Sequence, residues 1–144
     1  MTATAPLLNL LLVEDDDVAA EAVIRGLKKH AMDCPVVPAE DGKAALQILR
    51  GNHSERRISK PYLVLLDLNM PRMNGFEFLE ALRADPELRH TVVFVLTTSN
   101  AEADLTRAYE GNIAGYMVKS ATGPKFSGLA RFLAEYRGAV QLPS

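Results

Sequence analysis

Cysteine occurs once in the 144 residues, at Cys34. An internal disulfide and a cysteine-held metal cluster are therefore excluded. Long apolar runs are missing as well. Leu63–Leu66 and Thr91–Leu96 are strand-length, far short of the roughly 20 residues with which a helix spans a bilayer. Met1–Pro6 lacks the charged start and cleavage site of a secretory signal, so a cytoplasmic protein with no membrane partner is expected. Excess charge of one sign is also absent. The 16 Lys and Arg stand against 18 Asp and Glu, and no basic stripe forms. Phosphate backbones select clustered cations, so nucleic acid is not an expected partner. What is present is a chain of one-domain length in which 48% of residues are hydrophobic, enough for a buried core.

Along the chain, apolar runs alternate with helical spacing. Leu7–Val13 reads as a strand covered on both faces. It stops at Glu14-Asp15-Asp16-Asp17, after which Ala19, Ala22/Val23 and Gly26/Leu27 recur at helical spacing. Asp16 or Asp17 caps that helix, because a carboxylate there accepts the free N–H groups of the first turn. Cys34–Pro38 reads as a second strand whose prolines favour a sheet edge. Gly42–Arg50 reads as a helix and Gly51–Pro61 as a polar loop. Tyr62–Leu66 is a third strand, ending at Asp67. Asn74-Gly75 breaks the chain before a helix over Phe76–Arg83. Val92–Leu96 is a fourth strand, followed by Thr97-Thr98-Ser99. Ala101–Tyr109 is a helix stopped by Gly111. Ile113–Val118 is a fifth strand ending at Lys119, and Lys125–Arg137 is the last helix.

Five βα units in a row imply an α/β fold: a doubly wound parallel sheet with helices on both faces. In such sheets the site lies beyond the carboxyl ends of the strands. Glu14 and Asp15, Asp67, Thr97 and Lys119 follow strands one, three, four and five, so they should converge on one crevice. Three carboxylates brought together repel one another, and a hard, oxygen-seeking cation relieves this; Mg²⁺ suits such ligands. A carboxylate can also attack a phosphoryl group, with ammonium and hydroxyl groups cancelling charge on the equatorial oxygens. Singly, each residue has a plainer explanation as a cap, a turn residue or a solvated side chain. Their coincidence at successive strand ends is what is specific.

These residues resemble the receiver domain of two-component response regulators, over about Leu7–Tyr136. The matching stretches are Leu11–Asp16, Leu65–Pro71, Met73–Glu77, Val95–Thr98 and Gly115–Lys119. The resemblance implies a flavodoxin-like sheet in the order 2-1-3-4-5, with residues 7–137 as the receiver between short tails, 1–6 and 138–144. It implies Asp67 as phosphoacceptor. It implies a Mg²⁺ ion, with Mn²⁺ as a substitute, held by Asp15, Asp67, the backbone carbonyl of Asn69 and, largely through water, Glu14. Thr97 and Lys119 would contact the phosphoryl oxygens, and Tyr116 would swing inward as Thr97 moves. Such a receiver is a signalling switch rather than an enzyme, though it promotes its own phosphorylation and dephosphorylation.

The segment Gly51–Pro61 and the tail Tyr136–Ser144 resemble the small response regulators that pair with bacterial and cyanobacterial phytochromes. This implies a light-sensing histidine kinase as phosphodonor and output through protein contacts or onward phosphotransfer. It also implies a homodimer, for which the apolar Phe126, Leu129, Phe132, Leu133, Tyr136, Val140 and Leu142 are candidates. One departure stands out. The family has Pro after its conserved Lys, joined by a cis peptide, whereas Ser120 follows Lys119. Either that bond is cis, at roughly 3–4 kcal/mol, or it is trans and the next loop runs differently. Three other functions fit less well. A dehalogenase-type hydrolase needs a second Asp where Asn69 stands. A flavodoxin-like cofactor binder needs a phosphate loop where four acids follow the first strand. A scaffold pseudo-receiver would not keep a complete site.

Overall fold

The computed structural model describes residues 7–30, 32–70 and 73–143. The tail 1–6, Pro71 of the second matching stretch and Ser144 lie outside them. Five strands, β1 (Asn9–Val13), β2 (Val36–Ala39), β3 (Tyr62–Leu66), β4 (Val93–Thr97) and β5 (Gly115–Val118), alternate with five helices. These are α1 (Asp17–Lys29), α2 (Gly42–Leu49), α3 (Gly75–Ala84), α4 (Glu102–Glu110) and α5 (Ser127–Ala139). All strand pairs are parallel, in the order β2-β1-β3-β4-β5. This is the expected flavodoxin-like sheet. No described helix is long and apolar enough to cross a membrane.

Successive strand residues point to opposite faces, and the core divides accordingly. Leu11, Val13, Val64, Leu66, Val93 and Val95 pack under α2, α3 and α4. Leu10, Leu12, Leu63, Leu65, Phe94 and Leu96 pack under α1 and α5. Because both faces of β1, β3 and β4 are covered, those strands read as unbroken apolar runs. Pro38 does lie on an edge strand, where its missing N–H costs no ladder bond.

Several boundaries differ from expectation for identifiable reasons. The β2 pairing begins at Val36 opposite Leu10, one residue beyond Pro35. The β5 ladder begins at Gly115 opposite Phe94; before it Asn112 has φ +57, which turns the chain out of α4. Asp16 is the cap of α1, accepting from the Val18 and Ala19 amides at 2.9 and 3.2 Å, and Asp17 is the first helical residue. The buried stripe of α1 runs through Ala20, Val23, Gly26 and Leu27, whereas Ala22 is exposed.

The last helix starts at Ser127, not Lys125. Gly123, Lys125 and Phe126 have φ of +84, +50 and +62, a left-handed corner that a regular helix cannot contain. That corner sits on α1 at Gly26, where a Cβ would lie 2.4 Å from the Lys125 carbonyl oxygen. The Lys119–Ser120 peptide is trans, since the only cis bond among the described residues is Lys60–Pro61. The chain instead leaves β5 through a 3₁₀ turn over Lys119–Ala121, closed by the Thr122 amide and hydroxyl on the Lys119 carbonyl.

The proposed dimer surface shrinks. Leu129 and Leu133 are buried in their own domain, at 1% and 0% exposure. Phe132 and Tyr136 stand edge-on to the Phe94 ring, both at 5.2 Å. Phe126 and Leu142 pack on the same core, so the tail folds back. Phe132 and Val140 are the members of that set left as exposed large hydrophobics. At the opposite end of the sheet from the carboxyl crevice, Arg83 of α3 binds four backbone carbonyls: Gly111, Arg89, Thr91 and Asn112, at 2.7–3.0 Å. It fastens the end of α4 to the start of β4.

Candidate functional site

The carboxyl ends of β1, β3, β4 and β5 open on one crevice. Carboxylate oxygens of Glu14, Asp15 and Asp67 all lie within 4.8 Å of one another there. Glu14 and Asp67 are buried, at 6% and 8% exposure, and Asp15 forms the exposed rim. The two buried acids are placed by backbone bonds across the sheet: the Glu14 amide donates to the Ala39 carbonyl and the Asp67 amide to that of Val13. Thr97, fully buried, donates its hydroxyl to Asp67 Oδ1 at 3.1 Å. The Lys119 ammonium donates to Glu14 Oε1 at 2.5 Å. The exposed Asn69 donates its amide to Asp67 Oδ1 at 3.5 Å. All six predicted crevice residues therefore come together.

The electrostatics follow from crowding. Burial pushes the Glu14 carboxyl up from the usual carboxylate range, the negative charge of Asp67 pushes the same way, and Lys119 opposes both. Asp15 is raised too, first by the water it loses and then by the bond and charge of Glu14. A cluster of partly desolvated acids that cannot comfortably all ionise is what a divalent cation would stabilise. The donors are all oxygens, which favours a hard ion.

Gly75 lets the crevice close. Its amide donates to the Leu68 carbonyl at 3.0 Å, and a Cβ there would stand 2.7 Å from both the Asp67 carbonyl oxygen and Leu68 Cα. Beside it, Asn74 and Glu77 form a reciprocal capping box that starts α3 directly after the Asp67 turn.

A family model described as the response regulator receiver domain matches residues 10–128. The chain belongs to this family. Among its relatives, the response regulator Rcp1 of Synechocystis is 36% identical over 111 residues, covering 77% of this chain and 76% of Rcp1. A protein described as a probable methanogenesis regulatory protein, FilR2 of Methanothrix harundinacea, is 38% identical over 110 residues, 76% of this chain and 70% of FilR2. The phosphorylated cyanobacterial phytochrome response regulator RcpA superposes with a TM-score of 0.80 at 31% identity, covering 94% of this receiver and 98% of RcpA. The Mn²⁺-bound form of Rcp1 superposes at 0.78, with 31% identity and coverage of 94% and 99%. The acidic trio of this receiver fits a divalent metal of that kind.

Tyr116 of β5, expected from the sequence to act as a switch, is half-buried, and its hydroxyl donates to the Ser99 carbonyl at 2.9 Å. Ser99 is the neighbour that sequence reasoning passed over. Its hydroxyl donates to Asp104 of α4 at 2.6 Å and accepts the Ala101 amide at 3.3 Å. A serine between a strand end and a helix start is the available signal, but spacing alone gave it no partner.

Proposed function

We propose that this receiver accepts a phosphoryl group on Asp67 from a phosphohistidine of a histidine kinase, of the phytochrome class, and signals by changing its protein contacts. The observation that carries this is the buried Asp67 carboxylate with a hydroxyl at 3.1 Å and two further acids and a lysine around it. An Asp67 oxygen attacks phosphorus, the P–N bond breaks and the imidazole leaves, producing an acyl phosphate. Water later cleaves it, releasing inorganic phosphate and restoring the carboxylate. Lys119 and the Thr97 hydroxyl are placed to neutralise the phosphoryl oxygens.

Asp15, Asp67, the Asn69 carbonyl and, through water, Glu14 would hold Mg²⁺, or Mn²⁺ in its place. That ion would supply charge neutralisation and orientation at the phosphoryl oxygens. Loading then shifts a population between two states, drawing Thr97 toward the phosphate and biasing Tyr116. The chain turns over no outside substrate in this reading. Its partners are the kinase, a downstream protein, and a second copy of itself through Phe132 and Val140. The phytochrome assignment leans on the likeness to RcpA and Rcp1.

Phosphotransfer profiling tests the proposal. With Mg²⁺ present, radiolabel should move from an autophosphorylated phytochrome-type kinase to this chain faster than from unrelated kinases. Preference for another kinase would discard the phytochrome partner. No transfer from any kinase, together with no labelling by acetyl phosphate, would discard the function.

The metal gives a second test. Asp15→Ala should weaken Mn²⁺ binding by about tenfold or more, since even loss of groups behind a ligand costs that much. Asp17→Ala should leave it unchanged, because the α1 cap belongs to Asp16. Equal Mn²⁺ titrations for Asp15→Ala and the wild type would remove Asp15 from the ligand set.

A further inference from the structure

Helix α4 is weakly held. Ala108 is its one buried residue. Its N-cap position is Ala101, which offers no side-chain oxygen to the free amides of the first turn. A helix start without a cap needs another acceptor, and Ser99 supplies it from two residues earlier. The Ser99 hydroxyl accepts the Ala101 amide at 3.3 Å and donates to the Asp104 carboxylate in the first turn at 2.6 Å. Asp104 also lies where the amino end of a helix favours negative charge.

The backbone of Ser99 faces the other way. Its amide donates to Thr97 Oγ1 at 3.4 Å, the same oxygen that donates to Asp67 at 3.1 Å. Its carbonyl accepts the Tyr116 hydroxyl at 2.9 Å. One residue is thus bonded to the site, to the β5 ring and to the start of α4. We propose that Ser99 is a positioning residue: its hydroxyl, through Asp104, makes the first turn of α4 follow the state of Asp67. The inference rests on the proposed phosphorylation of Asp67. If Thr97 is drawn toward a phosphoryl group, the Ser99 amide loses or shifts its acceptor, and the amino end of α4 moves because Ser99 is its latch, while Ala108 and the Arg83 contacts hold the other end.

The test uses the full chain with Mg²⁺ and beryllium fluoride as the phosphoryl mimic, read by amide chemical shifts. The Leu68 amide, beside Asp67, reports loading, and the amides of Glu102–Glu110 report α4. In the wild type and in Ser99→Thr, which keeps the hydroxyl, both regions should respond. In Ser99→Ala and Asp104→Ala the Leu68 response should persist while the α4 displacement falls by about fivefold or more, the lower end of ordinary coupling between sites. The double variant should be no worse than either single one, because both remove the same bond. Independent contributions of the two side chains to the helix start would add instead.

Undiminished α4 displacement in Ser99→Ala would overturn the inference. So would loss of loading in that variant, which would place the hydroxyl inside the site, and so would additive losses in the double variant. No Leu68 response in the wild type would overturn the reading of Asp67 itself, and the latch with it.

Discussion

Asp67→Asn should bring acyl-phosphate labelling down to background, with either acetyl phosphate or a kinase as donor. The amide retains an oxygen that can accept the Thr97 hydroxyl, so the 3.1 Å contact need not be lost. What it lacks is the ionised oxygen that attacks phosphorus. The variant should not be less stable. It removes one negative charge from a crevice where three carboxylates approach within 4.8 Å, and like charges so placed disfavour ionisation. Urea unfolding without metal should therefore give a midpoint equal to or above that of the wild type. Hydroxylamine-sensitive label, quantified per mole of protein, is the direct measurement. Equal labelling of Asp67→Asn and wild type would move the acceptor elsewhere, with Glu14 and Asp15 the next acids to replace.

Gly75→Ala should destabilise the fold by about 1–3 kcal/mol, the usual cost of forcing atoms into a filled space. The new Cβ would stand 2.7 Å from a carbonyl oxygen and from an α-carbon, both backbone atoms of the Asp67–Leu68 turn. Neither can rotate aside as a side chain would. The turn must shift, and the Asp67 carboxylate shifts with it, so the labelling rate should fall along with stability. Gly138→Ala is the matching control. It lies in α5 with nothing within 4 Å of its added Cβ, and alanine there should stabilise by roughly 0.5–1 kcal/mol through helix propensity. Urea midpoints for the two variants should lie on opposite sides of the wild type. A Gly75→Ala protein as stable and as readily labelled as the wild type would show that the turn yields freely.

Sheet topology and crevice were legible because both are written in local order. An apolar run covered on two faces needs no alternation, and β1, β3 and β4 are such runs. The polar residues after them had nowhere to go but the carboxyl end. Helix faces were less legible. Ala19, Ala20 and Ala22 have the same chemistry, so only the packing of α1 on the sheet selects Ala20. The left-handed corner at Lys125–Phe126 carries no glycine at those two positions to announce it; the glycine that permits it, Gly26, is on another helix. The apolar residues of α5 have a second use that their spacing does not announce. Its aromatic residues Phe132 and Tyr136 stand edge-on to Phe94 of the sheet. Ser99 needed its partners in space before its position meant anything.

The four carbonyls gathered by Arg83 set the geometry of any movement at the crevice. Two of them, on Gly111 and Asn112, terminate α4. That end of the helix is a pivot, fixed to α3 and to the approach to β4, while the Ser99 end is free to be steered. A nine-residue helix is a lever of about 13 Å. A displacement of about 1 Å at the steered end then turns it through only about 4°. Such a fulcrum would convert a local rearrangement into a graded sweep: the side chains near Glu102 would travel farthest, Leu105 less, and Tyr109 beside the pivot hardly at all. A partner that reads Leu105 but not Tyr109 would sense the state of Asp67. One that rests on Tyr109 alone would bind both states alike.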